Sequence, residues 1–339
     1  MTFLLVRLAA LGLVLSVLTG CRGQSDQAQV EFTVPPGASL GQVTDTLVAR
    51  DLVAHPRLFR ALARVRGDDR HVQAGRYQVA GDIRWQSLLT HLVEGRVQTI
   101  PLTIPEGFTV AQMAPRLAAV AELDPDEAEA LLNAYAEEEE RWSVPGPGLE
   151  GYLFPDTYHF APGTSLSTVV ATMTEQYRSF WTPERIERAR ELEMSRREVT
   201  TLASIIQAEA RKAEEMPRIS GVFHNRLRIG YLLQADPTVQ YALGERRSRL
   251  LYADIDAVAD HPYNTYTQSG LPPGPIGAPG EGALEAALHP EDTDYLYFVA
   301  RPDGSHIFTR TLAEHNRARI EARRLWTELQ RELDGGHDD

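Results

Sequence analysis

The chain has 339 residues, 43% of them apolar and 8% aromatic, enough to build an extensive core and more than one domain. A formal net charge of -13 argues against a binder of nucleic acid, because gripping a phosphate backbone needs clustered Lys and Arg. Pro and Gly are dispersed, so disorder is expected only in tails at about 22–28 and 334–339.

At the N-terminus, Arg7 precedes an apolar run from Leu8 to Leu18. The run is too short to span a bilayer unaided but suits the apolar region of a signal peptide. Counting from Met1 lengthens it to about 18 residues, so a short anchor helix is the alternative. Leu18-Thr19-Gly20-Cys21 resembles a bacterial lipobox, which implies lipidation of Cys21 and removal of residues 1–20. Either reading implies export, a membrane attachment at the N-terminus and an extracytoplasmic body. Cys21 is the single cysteine, so neither an internal disulfide framework nor a thiolate zinc cluster is expected.

Residues 29–98 form a first unit. A strand at Val30–Val34 leads to helices near Leu40–Arg50 and Pro56–Val65, a strand at Gly75–Val79 and a helix from Ile83 to Glu94. Ser39 with Gln42, and later Thr109 with Gln112, have the spacing of a capping box. A helix-rich module of this size with short strands resembles the LysM-like domain, which implies glycan binding. From 99 the chain restarts with a strand at Gln98–Ile104 and helices at 109–121 and 125–138. A loop at Val144–Gly148 and an extended, aromatic-rich stretch from Glu150 to Phe160 follow. Helices return at 165–180, 183–191 and 196–229, where Pro217 should end or kink the last one. A loop dense in Pro and Gly covers 260–282. Tyr295–Ala300 and Ser305–Phe308 read as a hairpin around Pro302-Asp303-Gly304, and a helix at 311–333 closes the chain.

One carboxylate stands out. Leu202, Ile205 and Ile206 lie at i, i+3 and i+4 of a helix, and Glu209 at i+7 continues their apolar face. Desolvation there raises a carboxyl pKa. A glutamic acid that keeps its proton near neutral pH is what protonates the leaving group in glycosidic-bond cleavage. The plainer alternative is pairing of Glu209 with Arg211, Lys212 or Arg226 at the core edge. Gln207, about 160° away around the helix, should not share its cleft, and Glu214 and Glu215 are expected to be solvated.

Around this helix stand several longer runs. Leu202–Ala210, Val222-Phe223-His224-Asn225-Arg226-Leu227, Leu233–Tyr241, Tyr263-Asn264-Thr265-Tyr266, Gly270–Ile276, His289-Pro290, Tyr295–Val299 and, upstream, Glu150–Tyr158 resemble the YceG-like family of membrane-bound endolytic lytic transglycosylases of peptidoglycan. The resemblance runs from about residue 29 to 330. It implies an α+β fold, with the small LysM-like α/β subdomain at 29–98 and a larger, helix-rich catalytic domain at 99–333. It implies that Glu209 is the catalytic residue. Family members often carry a further glutamate where this chain has Gln207, and the apolar stripe favours Glu209. The chemistry implied is non-hydrolytic. Glu209 protonates the oxygen between N-acetylmuramic acid and N-acetylglucosamine, then acts as base toward the muramoyl 6-hydroxyl, leaving a 1,6-anhydro end. One carboxyl group suffices for both roles, so no metal and no cofactor are called for. Peptidoglycan strands are the implied partner, together with the wall-synthesis machinery.

Gln234, Asp236 and Thr238, at alternate positions of a segment read as extended, are expected to hydrogen-bond sugar or orient Glu209; for Asp236, turn formation with Pro237 is the alternative. Tyr263, Asn264, Thr265 and Tyr266 are expected at the substrate, since aromatic rings stack on sugars and Asn both donates and accepts; a packed loop is the alternative. Asn225 and Arg226 read as supports for loop backbone, Leu271–Gly280 as a stiff cleft wall, and His289 and His306 as structural. No His pair has zinc-ligand spacing, and neither a Gly-x-Ser-x-Gly elbow nor a Walker loop occurs. Two other readings stay open: a non-catalytic wall-binding protein, consistent with Gln207, and a hydrolytic muramidase using Asp236 or Asp156 as second carboxylate.

Overall fold

The structure, a computed structural model, describes residues 28–335 apart from 246, 248 and 249. The apolar run near the N-terminus and the lipobox-like Cys21 therefore lie outside the described residues. Among those described, no helix is long and apolar enough to cross a membrane. Helices and small antiparallel sheets make an α+β fold, which divides into one compact unit ending at Gln98 and a second beginning at Thr99.

In the first unit, strands β1 (Gln29–Val34) and β2 (Gly75–Ala80) pair antiparallel, from Gln29 opposite Ala80 to Val34 opposite Gly75. Their alternation turns Phe32, Val34, Tyr77 and Val79 inward, and the Phe32 and Tyr77 rings stack at 5.3 Å. Helices α1 (Leu40–Ala49), α2 (Pro56–Arg66) and α3 (Trp85–Val93) cover that face with Leu47, Phe59, Leu88, Leu89 and Leu92. The Ser39–Gln42 capping box starts α1 as the sequence predicts. Pro56 starts α2, where its missing N–H costs no helical hydrogen bond.

In the second unit, β3 (Ile100–Thr103) pairs antiparallel with β4 (Thr157–Phe160). Between them lie α4 (Val110–Ala121), with its Thr109–Gln112 capping box, α5 (Pro125–Ala136) and the short α6 (Glu139–Trp142). Helices α7 (Leu166–Phe180), α8 (Pro183–Glu191), α9 (Arg196–Glu209), α10 (Met216–Arg228), α11 (Asp236–Leu243), α12 (Tyr252–Ala257) and α13 (Glu281–Leu288) follow. The hairpin of β5 (Tyr297–Ala300) and β6 (His306–Thr309) and the long α14 (Leu312–Gly335) complete the unit.

Helix α9 is the centre of this core. Every residue from Val199 to Ile206 is buried, packed against the small residues Ala283, Ala286 and Ala287 of α13 and against α10. A helix enclosed on all sides must satisfy its polar groups internally. Thr200 therefore meets the Tyr177 hydroxyl at 2.8 Å, and the Ser204 hydroxyl donates to the Thr201 carbonyl at 2.7 Å.

The structure departs from the sequence expectation in three places. The single helix expected over 196–229 is two. α9 stops at Glu209, Ala210 is extended, and a turn of 3₁₀ helix at Ala213–Glu215 leads into α10. Pro217 opens α10 rather than ending or kinking a helix, since its fixed φ suits a first turn. Second, the stretch from 234 to 238 is not extended: α11 begins at Asp236 with Pro237 in its first turn. Third, Glu215 is not solvated. Its carboxylate accepts from the backbone N–H and, at 2.7 Å, the Nδ1 of buried His306, which ties the start of α10 to β6.

Candidate active site

Glu209 is the last residue of α9. The Ser195–Glu198 capping box sets where that helix begins, and the buried Leu202, Ile205 and Ile206 set its rotation. The rotation brings Glu209 to the rim of the core, where it is partly exposed. Burial of the carboxyl pushes its pKa up to about 8; the nearby charge of Asp236 adds to the rise, and Arg226 opposes it. Among the described residues no hydrogen bond engages this carboxyl, so it is free to exchange a proton with a ligand.

The pairing alternative does not hold. Arg226 spends its guanidinium on backbone carbonyls, Leu296 at 2.7 Å and Leu233 at 2.5 Å, between the rings of Tyr231 and Tyr297. Lys212 lies near Asp303. Asn225 likewise donates to the carbonyls of Thr293 and Tyr295. Both residues fasten the segment after α13 to α10, as their reading from sequence expects. Gln207 points elsewhere: its side-chain carbonyl accepts from the Gly280 N–H at 3.1 Å.

Asp236, exposed at the start of α11, is the acidic neighbour of Glu209, and its carboxylate accepts from the Tyr266 hydroxyl. Burial, Asp236 and Glu209 all raise the Tyr266 pKa, so this phenol stays protonated. Gln234 is exposed, with a left-handed φ of 49°, and its backbone N–H donates to the Thr265 carbonyl. Tyr263 is half-buried and packs on Tyr241 with ring centroids 4.8 Å apart.

Thr238, Asn264 and Thr265 differ from the expectation of sugar contact. All three are buried. The Thr265 hydroxyl accepts from the Ala235 N–H and shares a 2.8 Å hydrogen bond with Thr238. Asn264 donates to the carbonyls of Ile255 and Val258 and accepts from the Tyr266 N–H. Their polar groups are consumed in bracing the 263–266 loop against the start of α11, because a polar group without water must find a protein partner.

Sequence reasoning missed Glu150. Its carboxylate accepts from the Val110 N–H at the start of α4, at 3.2 Å, and from the Tyr241 hydroxyl of α11 at 3.4 Å. Burial pushes its pKa up to about 7 against the pull of those hydrogen bonds and of the Gly151 backbone. Gly151, at a φ of 81°, lies so close to Pro275 that a Cβ would come within 2.4 Å of that ring. The signal available was a carboxylate set between Leu149 and the run Tyr152-Leu153-Phe154. Pro275 belongs to the expected wall. Residues 274–280 are buried, the Ile276 N–H donates to the Ser204 hydroxyl at 3.0 Å, and Gly277 approaches the Gly107 carbonyl too closely for a side chain.

Among the described residues, no three His, Cys, Asp or Glu side chains gather as a metal-ligand set. A surface depression of about 560 Å³ lined by Trp142, Thr168, Thr172 and Arg178 shares no residue with the Glu209 site.

A carboxyl group whose pKa is raised past neutral, at the rim of the core beside Asp236 and the Tyr266 hydroxyl on an α+β frame, has the make-up of a candidate acid–base site. The chain belongs to the YceG-like family, whose model matches residues 32–321. It is 34% identical over 315 residues to the endolytic murein transglycosylase of Bacillus subtilis (strain 168), covering 87% of this chain and 85% of that protein. It is 29% identical over 320 residues to the protein of the same name from Streptococcus pneumoniae serotype 2 (strain D39), covering 85% of this chain and 57% of that one. Among solved structures, a yceG-like protein from Listeria monocytogenes superposes with a TM-score of 0.59 at 31% identity, covering 85% of this chain and 98% of that one.

Proposed function

We propose that this chain is an endolytic lytic transglycosylase of peptidoglycan, with Glu209 as its acid and base. The observation that carries this reading is the free, desolvated Glu209 carboxyl, its pKa near 8, beside Asp236 and Tyr266. The protonated acid gives its proton to the oxygen of the β-1,4 bond between N-acetylmuramic acid and N-acetylglucosamine, and the bond from that oxygen to the muramoyl anomeric carbon breaks. The resulting carboxylate takes the proton of the muramoyl 6-hydroxyl as that oxygen bonds to the anomeric carbon. The proton returns to Glu209, no water is consumed, and the strand ends in 1,6-anhydromuramic acid.

Gln234, Asp236, Tyr263 and Tyr266 are the groups we assign to the sugar, with Thr238, Asn264 and Thr265 holding their loop. Asp236 also keeps Glu209 protonated by its charge. Glu150 anchors Tyr241, and through it α11, against the start of α4. The small unit is assigned to glycan binding as a LysM-like module spanning 29–98, with catalysis in 99–333. Attachment at the N-terminus through Cys21 or an anchor helix would hold the enzyme on the outer face of the cell membrane. There, beside the synthesis machinery, its cut would end nascent strands.

The test is incubation of the chain from residue 28 with uncrosslinked glycan strands, beside Glu209→Gln, followed by mass spectrometry. Anhydro-ended fragments from the wild type alone are expected. Fragments heavier by one water would make the protein a hydrolase, with exposed Asp236 the candidate to place that water. Intact strands with folded wild-type protein would make it a non-catalytic wall binder.

A further inference from the structure

Charge is unevenly shared along the chain. Residues 29–98 hold nine Arg against seven carboxylates, whereas 99–339 hold 23 Lys and Arg against 39 Asp and Glu. The excess of the small unit is concentrated on α2, whose sequence PRLFRALARVR contains four Arg and no acidic residue. Phe59 and Ala63 bury one side of this helix in the core. On the other side Leu58 is 61% and Val65 87% exposed. Seven residues apart, the two lie within about 20° of one another around the axis, with Ala61 between them. Arg57 and Arg64, also seven apart, flank this stripe, and Arg60 lies beyond them. Among the described residues, none of these three guanidinium groups has a carboxylate partner or a hydrogen bond. On α14 the exposed apolar residues Leu312, Ile320 and Trp326 stand in a sequence that also carries Glu314, Glu321 and Glu328 among its arginines.

An apolar stripe bordered by unpaired arginines is the pattern of a helix that lies in the headgroup region of a bilayer. There the aliphatic groups reach the acyl boundary and the guanidinium groups meet phosphate. The sequence supplies the proximity. Only nine residues separate the apolar run ending at Leu18 from residue 28, ten residue-to-residue steps with a reach of at most about 35 Å. A unit of about 70 residues has a radius of gyration near 11 Å. Any of its faces can therefore touch a membrane that holds the N-terminus.

We propose that the Leu58–Val65 face of α2 docks on an anionic lipid bilayer, setting the small unit flat on the membrane surface. This uses the exported, N-terminally attached reading of the chain but not the chemistry at Glu209. Catalysis by a protein that ignores lipid would defeat only this inference, and lipid binding by an inactive protein would defeat only the enzymatic one.

The experiment is co-sedimentation of the chain from residue 28, which retains both hydrophobic cores, with vesicles of phosphatidylcholine alone or with three parts in ten phosphatidylglycerol. Binding is expected only with phosphatidylglycerol, and it should weaken as salt rises from about 0.05 to 0.5 M. Arg57→Glu with Arg64→Glu should lower the partition coefficient roughly tenfold or more. Val65→Ser should lower it less, and Arg84→Glu, a single charge reversal just before α3, should leave it within about twofold of wild type, whereas Arg57→Glu or Arg64→Glu alone should lower it by more than that. Circular dichroism checks that each variant is folded. Equal sedimentation with both lipids, or binding indifferent to the Arg57 and Arg64 reversal, would overturn the proposal. So would wild type that ignores vesicles while the same reversal abolishes binding to insoluble peptidoglycan or self-association, since the face would then serve glycan or a second copy.

Discussion

Glu209 keeps its proton at neutral pH because burial beside Leu202, Ile205 and Ile206 and the charge of Asp236 both oppose ionisation. If this proton is the one delivered to the glycosidic oxygen, the rate of anhydro-end formation should be flat below pH 8 and fall about tenfold per pH unit above it. A pH–rate profile breaking near 5 would remove Glu209 as the acid. Glu209→Gln should lower the rate at least about a hundredfold. Its effect on stability has the opposite sign. A carboxyl whose pKa is about 8 folded and 4.5 as a free group binds its proton more tightly in the native state. The native state therefore loses stability as pH rises from 4.5 to 8 and regains none above. Glu150, raised to about 7, acts the same way over a narrower window. Melting curves at pH 5 and pH 9 should show Glu209→Gln gaining on wild type at the higher pH, by an amount on the order of 1–3 kcal/mol. Glu209 was legible because helical spacing places it on an apolar face. Glu150 was not, because it sits outside any periodic element and its partners lie 40 and 91 residues away in sequence.

Among the elements, the starts of α1, α4 and α9 follow from capping boxes that the sequence displays or nearly displays, since each needs only residues three apart. The break between α9 and α10 did not follow. The run from 196 to 216 has no proline or glycine to mark the break, and the contact that fixes the start of α10 is tertiary: Glu215, just ahead of it, pairs with buried His306. The period-two pattern of Gln234, Asp236 and Thr238 misled for a related reason. Thr238 turns inward to Thr265, while Pro237 lies in the first turn of α11. Gly151 sets how the Glu150 segment meets the proline-rich wall. Gly151→Ala combines a left-handed φ with a Cβ 2.4 Å from the Pro275 ring, so a loss of about 2 kcal/mol or more is expected by chemical denaturation, with a larger fall in activity than Tyr241→Phe produces. Equal stability of Gly151→Ala and wild type would mean that the wall yields.

For the molecule as a whole, each unit has a hydrophobic core of its own, around Phe59 and Tyr77 in the first and around α9 in the second. The chain from residue 99 should therefore melt cooperatively by calorimetry without the first unit, and should retain Glu209-dependent cleavage if the first unit serves binding alone. A broad, non-cooperative transition would show that the second core is incomplete by itself. The sequence by itself determined many of the helices and strands, the helix that carries Glu209 and the face on which it lies. These rest on periodicity and on signals within a few residues. Tertiary structure alone decided that the Glu209 carboxyl is unpaired, with Arg226 committed to carbonyls 7 and 70 residues away. It also decided that Thr238, Asn264 and Thr265 face inward and that Glu150 is drawn to α4 and α11. A side chain's exposure and proton affinity depend on which distant groups remove its water, and no local pattern carries that information.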